Sequence, residues 1–425
     1  MSALARLRAC AVSLGLLAAL LPVGAGPVTA SHAATGAAAG TAERVDAQTV
    51  ALPDLSPDGQ WWFTAWQIPK VWRAGARGQG VTVAVVDSGV QASWPELKGV
   101  VLAGTDFQGG DGRVDRSQET EGNSDGHGTA MAIDIAGQGG PSRLVGVAPE
   151  ARILPVQRRD TDPGVGEQIR WAVDHGAKII NLSYSIPGSC RQDDQVAVRY
   201  ALDHGAVVVA SAGNEAAYSQ RGTGRPRNCL GVLAVTAIDN QLRAWSMSDR
   251  GPYVSLAAPG VHIQGLTLPR RRVYADGSSA AAALTSGAIA LVWSKYPQLT
   301  NRQVVARVLA TARDLGPPGK DDLYGYGGIR PYQAIMTEVS ANAPNPIFDQ
   351  LATAATSGAS DPPATTAIRP GTSSDAGTGT SPSTLLVAAA AVIGFLALVA
   401  VIVVAAIVGR SRRGQRVPPG SAARR

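Results

Sequence analysis

The sequence predicts an α/β fold with a parallel central sheet and helices on both faces, followed by one C-terminal transmembrane helix. Three observations predict it. First, residues 81–86, 153–156, 178–182, 206–210 and 232–236 are short runs nearly continuous in Val, Ile, Leu and Ala, the pattern of parallel strands buried on both faces. Second, residues 166–175 and 194–204 between such runs have helical spacing, and strands alternating with helices build an α/β layer structure. Third, residues 385–408 carry no charged or strongly polar side chain, enough for a helix to span the roughly 30 Å hydrocarbon core.

The strand-helix units repeat: Arg170-Trp-Ala-Val-Asp-His-Gly-Ala177 answers Arg199-Tyr-Ala-Leu-Asp-His-Gly-Ala206. In each a glycine ends the helix and a strand follows. His175 and His204 therefore fall in the last helical turn and are expected to cap free carbonyls there rather than take part in chemistry.

The rest of the 425-residue chain divides by composition. Residues 1–34 have a basic start (Arg6, Arg8), an apolar stretch over 11–21 and small residues at Ala30, Ala33 and Ala34, which is the pattern of a secretory signal peptide. Pro22, Gly24, Gly26 and Pro27 cut that apolar run too short to span a bilayer. Residues 35–59 form an N-terminal extension and 60–338 the folded domain. Residues 339–384, rich in Ala, Thr, Ser, Gly and Pro, are expected to be a flexible stalk between that domain and the span at 385–408. The basic tail, 409–425, contains Arg410, Arg412, Arg413, Arg416, Arg424 and Arg425 and no acid, so it is placed in the cytoplasm and the domain outside.

The formal charge of +6 comes from that tail: subtracting its six arginines leaves zero. No nucleic-acid footprint remains, and nucleic acid is excluded as a partner. Of the three cysteines, Cys10 would leave with the signal peptide. In an oxidising compartment Cys190 and Cys229 are expected to form a disulfide, the alternative being two buried thiols.

Peptide hydrolysis without a metal calls for a nucleophile, a base, a group that orients the base, and donors for the oxyanion. Among five histidines, His32 lies at the signal junction, His262 stands alone, and His175 and His204 are caps. His127, in Asn123-Ser-Asp-Gly-His-Gly-Thr129, sits where a turn opens into a helix and is the candidate base. Asp87 follows the buried run 81–86, at the carboxyl end of a strand where open α/β sheets place their sites; its role is to orient the imidazole and stabilise the imidazolium. Asp125 is nearer in sequence, but Asp-Gly there reads as turn chemistry. Ser279, in Asp276-Gly-Ser-Ser-Ala280, opens a strong helix former and is the candidate nucleophile. Its backbone N–H and the Asn214 side-chain amide, in Ala210-Ser-Ala-Gly-Asn214, are the candidate oxyanion hole. No metal-ligand cluster and no cofactor motif is present, and a structural calcium site stays open.

The order Asp, His, Asn, Ser resembles that of the subtilisin-like peptidases over residues 75–336, as do Val254-Ser-Leu-Ala-Ala-Pro-Gly260 and Tyr324-Gly-Tyr-Gly-Gly328. Gln60-Trp61 leading into Val71-Trp72, a Pro-containing stalk and a C-terminal span with a basic tail resemble the mycosins, membrane-anchored peptidases of type VII secretion. The resemblance implies a membrane-anchored serine endopeptidase acting on polypeptides, substrate backbone pairing near Ser183, Tyr184 and Ser185, and type VII secretion complex subunits as partners. It also implies an extended arm in place of a chaperone-like prodomain over 35–59.

The chain departs from the family pattern at Ser278 for Thr, at Ala283 for Pro, and at Ile133 and Asp134 after His-Gly-Thr. A catalytically weak or inactive scaffold of the same fold is the alternative; a surface binding domain is disfavoured by the full catalytic set. An α/β-hydrolase is disfavoured because no Gly-x-Ser-x-Gly surrounds Ser279.

Overall fold

The computed structural model describes residues 59–107, 109–115, 126–158, 164–215 and 224–356. The chain divides into two units, 1–358 and 359–425, and all described residues belong to the first. The expected signal peptide, extension arm, transmembrane helix and tail, together with Asp125, lie outside the described residues. Among the described residues no helix is long and apolar enough to cross a membrane.

In chain order, α1 (Trp61–Ala65) and α2 (Ile68–Arg73) precede β1 (Thr82–Asp87), β2 (Thr105–Asp106) and α3 (His127–Ala136). Then come β3 (Gln138–Gly139), β4 (Leu144–Val145), β5 (Arg152–Gln157), α4 (Val165–Asp174), β6 (Ile179–Leu182), α5 (Gln192–Asp203) and β7 (Val207–Ser211). The chain continues through β8 (Leu233–Ile238), β9 (Val254–Pro259), β10 (Ile263–Thr267), β11 (Arg271–Ala275) and α6 (Ser278–Lys295). It closes with α7 (Asn301–Ala310), α8 (Pro331–Met336) and α9 (Pro346–Thr356).

Seven strands form one sheet in the order β2-β5-β1-β6-β7-β8-β9, and every neighbouring pair is parallel. The five apolar runs are β1, β5, β6, β7 and β8, each shifted by no more than two residues at either end; their interiors are buried on both faces. From β1 the chain first adds strands on one side (β2, β5) and then on the other (β6 to β9). The carboxyl ends of β1 and β6 thus flank a topological switch point, where parallel sheets leave a crevice for ligands.

α6 is buried along nearly its whole length, which explains why it is apolar on all sides. It packs on α3 and on β6 to β9, while α4 packs on α5. Glycine permits the close approaches: a Cβ on Gly287 would lie 2.7 Å from Val147 Cβ, and one on Gly166 2.9 Å from Asp193 O. His175 and His204 end α4 and α5, and their Nδ1 atoms bond the carbonyls of Trp171 and Tyr200 at 2.8 Å. The His175 ring stacks on Trp171, and the His204 ring lies tilted against Tyr200.

The N-terminal aromatic cluster is anchored by polar handles. Trp61 Nε1 donates to Val261 O and Trp72 Nε1 to Val147 O, both at 3.0 Å. The Gln60 amide makes both backbone bonds of a strand partner to Val145, at 2.8 and 3.0 Å.

One boundary needs correcting. The stalk expected from residue 339 does not begin there, because α9 follows and buries Ile347, Phe348 and Leu351. Asn345 Nδ2 donates to Arg302 O, and Arg302 pairs with Asp349. Three large apolar residues in an Ala/Thr-rich stretch dock this helix beside Gly231.

Candidate active site

Asp87 ends β1 and is 3% exposed; His127 is the first residue of α3. Their side chains meet across 40 residues of sequence, His127 Nδ1 lying 2.8 Å from Asp87 Oδ1. Gly126 enters the helix with φ +88°. A Cβ on Gly128 would fall 2.2 Å from Gly89 O and 3.0 Å from Asp87 Cβ, so only glycine lets the α3 start approach the end of β1 this closely. Ser88 Oγ accepts from Gly128 N, and Asp115 Oδ2 accepts both from Thr129 N and from its hydroxyl. The imidazole is thereby held from below by the helix start.

Burial pulls the Asp87 carboxyl upward, but the charge and hydrogen bond of His127 and the Ser88 N–H outweigh it, and the group sits below its ordinary range. Burial likewise pulls His127 down, but Asp87, by charge and hydrogen bond, and Asp115 outweigh it, so the imidazole is a stronger base than a free histidine.

Ser279 is the second residue of α6, within the first turn whose N–H groups lack intrahelical acceptors. It lines the same cleft as His127 and Asn214. Its hydroxyl donates to Ser183 O at 2.8 Å, and Ser183 Oγ donates back to Ser279 O at 2.9 Å. Asn214 follows β7. Its Oδ1 accepts from Ser278 N at 2.9 Å and from Ser278 Oγ at 2.7 Å, and Ser278 Oγ in turn accepts from Gly213 N. With the carbonyl end so occupied, Nδ2 is the group left to donate, and it lies 3.4 Å from where a Gly277 Cβ would stand. The serine found in place of threonine at 278 thus keeps a hydroxyl where the amide needs one.

Tyr184 OH donates to Gln168 Oε1, Arg158 lies over its ring at 4.8 Å, and burial raises the phenol above its usual range. Ser185 Oγ accepts from Arg227 Nη1 at 2.6 Å. This contact belongs to a group the motifs did not announce: Arg227 Nη2 also pairs with Asp249 Oδ2 at 2.7 Å, with both side chains buried. Asp249 Oδ1 accepts from Glu215 N. The pair braces the loop that carries Asn214; charges isolated in sequence gave no sign of it. Cys190 and Cys229 form a disulfide. His262 is stacked on Tyr274, and its backbone N–H donates to Asp276 Oδ1. Among the described residues no cluster of His, Cys, Asp and Glu could hold a metal ion.

The family model described as the subtilase family, Peptidase S8, matches residues 78–327. The chain belongs to the subtilase family. Subtilisin DY of Bacillus licheniformis is 34% identical over 264 residues, covering 61% of this chain and 91% of the relative. Mycosin-3 of Mycobacterium tuberculosis is 32% identical over 343 residues, covering 65% of this chain and 72% of the relative. The solved structure of the MycP3 protease from the type VII (ESX-3) secretion system superposes with a TM-score of 0.55 at 32% identity, covering 65% of this chain and 88% of that one. This subtilase is therefore a subtilisin-like serine endopeptidase related to the mycosins.

Proposed function

We propose that the protein is a membrane-anchored endopeptidase that cuts polypeptides with Asp87, His127 and Ser279. The observation that carries this reading is the 2.8 Å bond between Asp87 Oδ1 and His127 Nδ1 beside the cleft that Ser279 lines. Asp87 fixes the tautomer that leaves Nε2 free to accept a proton. To be deprotonated, the Ser279 hydroxyl leaves Ser183 O and turns to Nε2, a change of rotamer. Its oxygen then attacks the scissile carbonyl. The oxyanion is received by Asn214 Nδ2 and the Ser279 N–H, donors already positioned before charge develops. His127 returns the proton to the leaving amine, and water, activated by the same base, releases the acyl group.

In this reading Ser183, Tyr184 and Ser185 pair with the substrate backbone, residues 385–408 span the membrane, and the arginines that follow keep the tail in the cytoplasm. The similarity to mycosins supports association with type VII secretion subunits. Ser279→Ala removes one oxygen from the start of a buried helix. It is expected to abolish peptide cleavage while leaving far-UV and near-UV circular dichroism unchanged. Cleavage by that variant at the parent rate would overturn the reading.

A further inference from the structure

α3 begins at His127, and residues 127, 130, 131 and 134 follow the i, i+3, i+4, i+7 spacing that places them on one helix face. All four line a cavity of about 310 Å³ that Ser279 and Asn214 also line. Residues of β10 and of the start of α6 line it as well. Glycines and alanines make up much of its lining, Ala130, Gly265 and Ala280 among them. A Cβ on Gly265 would lie 3.6 Å from Ala130 Cβ, an ordinary van der Waals contact.

Asp134 stands in this wall. It is 2% exposed, and its Oδ1 is buried without a hydrogen-bond partner. Burial pushes its carboxyl well above the ordinary range, opposed only by the charge of His127. Neither the triad chemistry nor the packing of α3 uses this group, and an unsatisfied buried acid is destabilising. A partner that enters the cavity would remove that penalty.

We propose that this cavity is the subsite for the residue that follows the scissile bond, and that Asp134 selects a lysine or arginine there. The inference rests on the peptidase reading above. His127 protonates the leaving amine, so the residue that leaves lies against the His127 end of the cavity, across Ser279 from Ser183. Asp134 is two helical turns further on, about 10 Å along the axis, and only a long side chain reaches toward it. Among long side chains a cation favours the ionised form of the buried acid, so Asp134 gives up its proton to solvent as the pair forms and the contact is charge-assisted, while the methylene stem lies along Ala130, Met131 and Leu266.

The test uses the full chain and internally quenched peptides whose cut site is located by mass spectrometry, differing only in the residue after the cut: lysine, or norleucine of equal length without charge. The lysine peptide is expected to show kcat/KM at least tenfold above the norleucine peptide, and Asp134→Asn and Asp134→Leu to bring that ratio to about one. In Ser279→Ala the dissociation constants of the two peptides should differ in the same sense, read by fluorescence anisotropy. Equal values for the two peptides in the parent, or a ratio that survives Asp134→Asn, would overturn the assignment. Cleavage of neither peptide would instead strike the peptidase reading, with the binding ratio still deciding the role of Asp134.

Discussion

Replacing Arg227 by methionine should reveal how firmly the Asn214 loop depends on one buried ion pair. Arg227 and Asp249 are 4% and 3% exposed and meet at 2.7 Å. Arg227 also bonds Ser185 Oγ, and Asp249 bonds the backbone of Glu215 and Gly213. Gly213, with φ +106°, fits against the pair so closely that a Cβ there would lie 2.4 Å from both Arg227 Nη1 and Asp249 Oδ2. Arg227→Met keeps the volume but leaves a buried carboxylate without its cation, a change expected to cost about 3 to 5 kcal/mol. Removing both charges, in Arg227→Met with Asp249→Leu, leaves no orphaned ion and should recover part of that loss. Guanidinium unfolding of the parent, both single variants and the double variant measures the coupling, and peptide hydrolysis reports the loop, since Asn214 lies between two residues that Asp249 holds. An Arg227→Met variant within about 0.5 kcal/mol of the parent, as for an ordinary surface change, would refute the reasoning. So would a double variant destabilised by the sum of the singles.

Other outcomes follow from single features of the structure. The Cys190–Cys229 bridge closes a separation of 39 residues, so its reduction should lower stability by about 4 kcal/mol on the loop-entropy estimate; an unchanged melting temperature after verified reduction would contradict this. His127 must be neutral to act as base, and its pKa is raised above 6.5 by Asp87 despite burial, whereas Asp87 stays ionised throughout that range. Hydrolysis should therefore be full in mild alkali and fall as pH drops through a midpoint above 6.5; a rate that rises toward acid would exclude this base. Asn214→Ala should lower kcat about 10² to 10³-fold, a figure known for the equivalent donor of subtilisin and not worked from this structure; an unchanged kcat would remove Asn214 from the oxyanion hole. A chain ending at Gly358 should melt as the parent does, while one ending at Ala341 loses α9 and should melt lower; equal melting of the two would mean that α9 does not stabilise the domain.

The sequence disclosed the sheet because β1 and β5 to β8 are buried on both faces, which leaves continuous apolar runs in the chain. Elements that lack that environment were hidden. β2 is two residues long at the sheet edge, and β11 reads Arg-Arg-Val-Tyr-Ala with four of its five residues exposed, so neither carries a period. α9 was masked by its Ala/Thr background, with only Ile347, Phe348 and Leu351 to signal burial. At the site, Asp87 and His127 were legible because each ends or begins an element whose limits glycine marks. The direction of the Ser279 hydroxyl, toward Ser183 O, depends on a contact across 96 residues. The same holds for Arg227 and Asp249, which are lone charges until folding brings them together, and for Asp134, whose place beside the cavity is set by the packing of α3 in the fold.

The central claim is that Ser279 is made nucleophilic by His127 held on Asp87. A fluorophosphonate probe, which esterifies only an activated serine hydroxyl, tests it directly when the labelled residue is mapped by mass spectrometry. The account predicts one adduct, on Ser279, lost in His127→Ala although Ser279 is still present. Labelling at another serine, or undiminished labelling of Ser279 in His127→Ala, would contradict it.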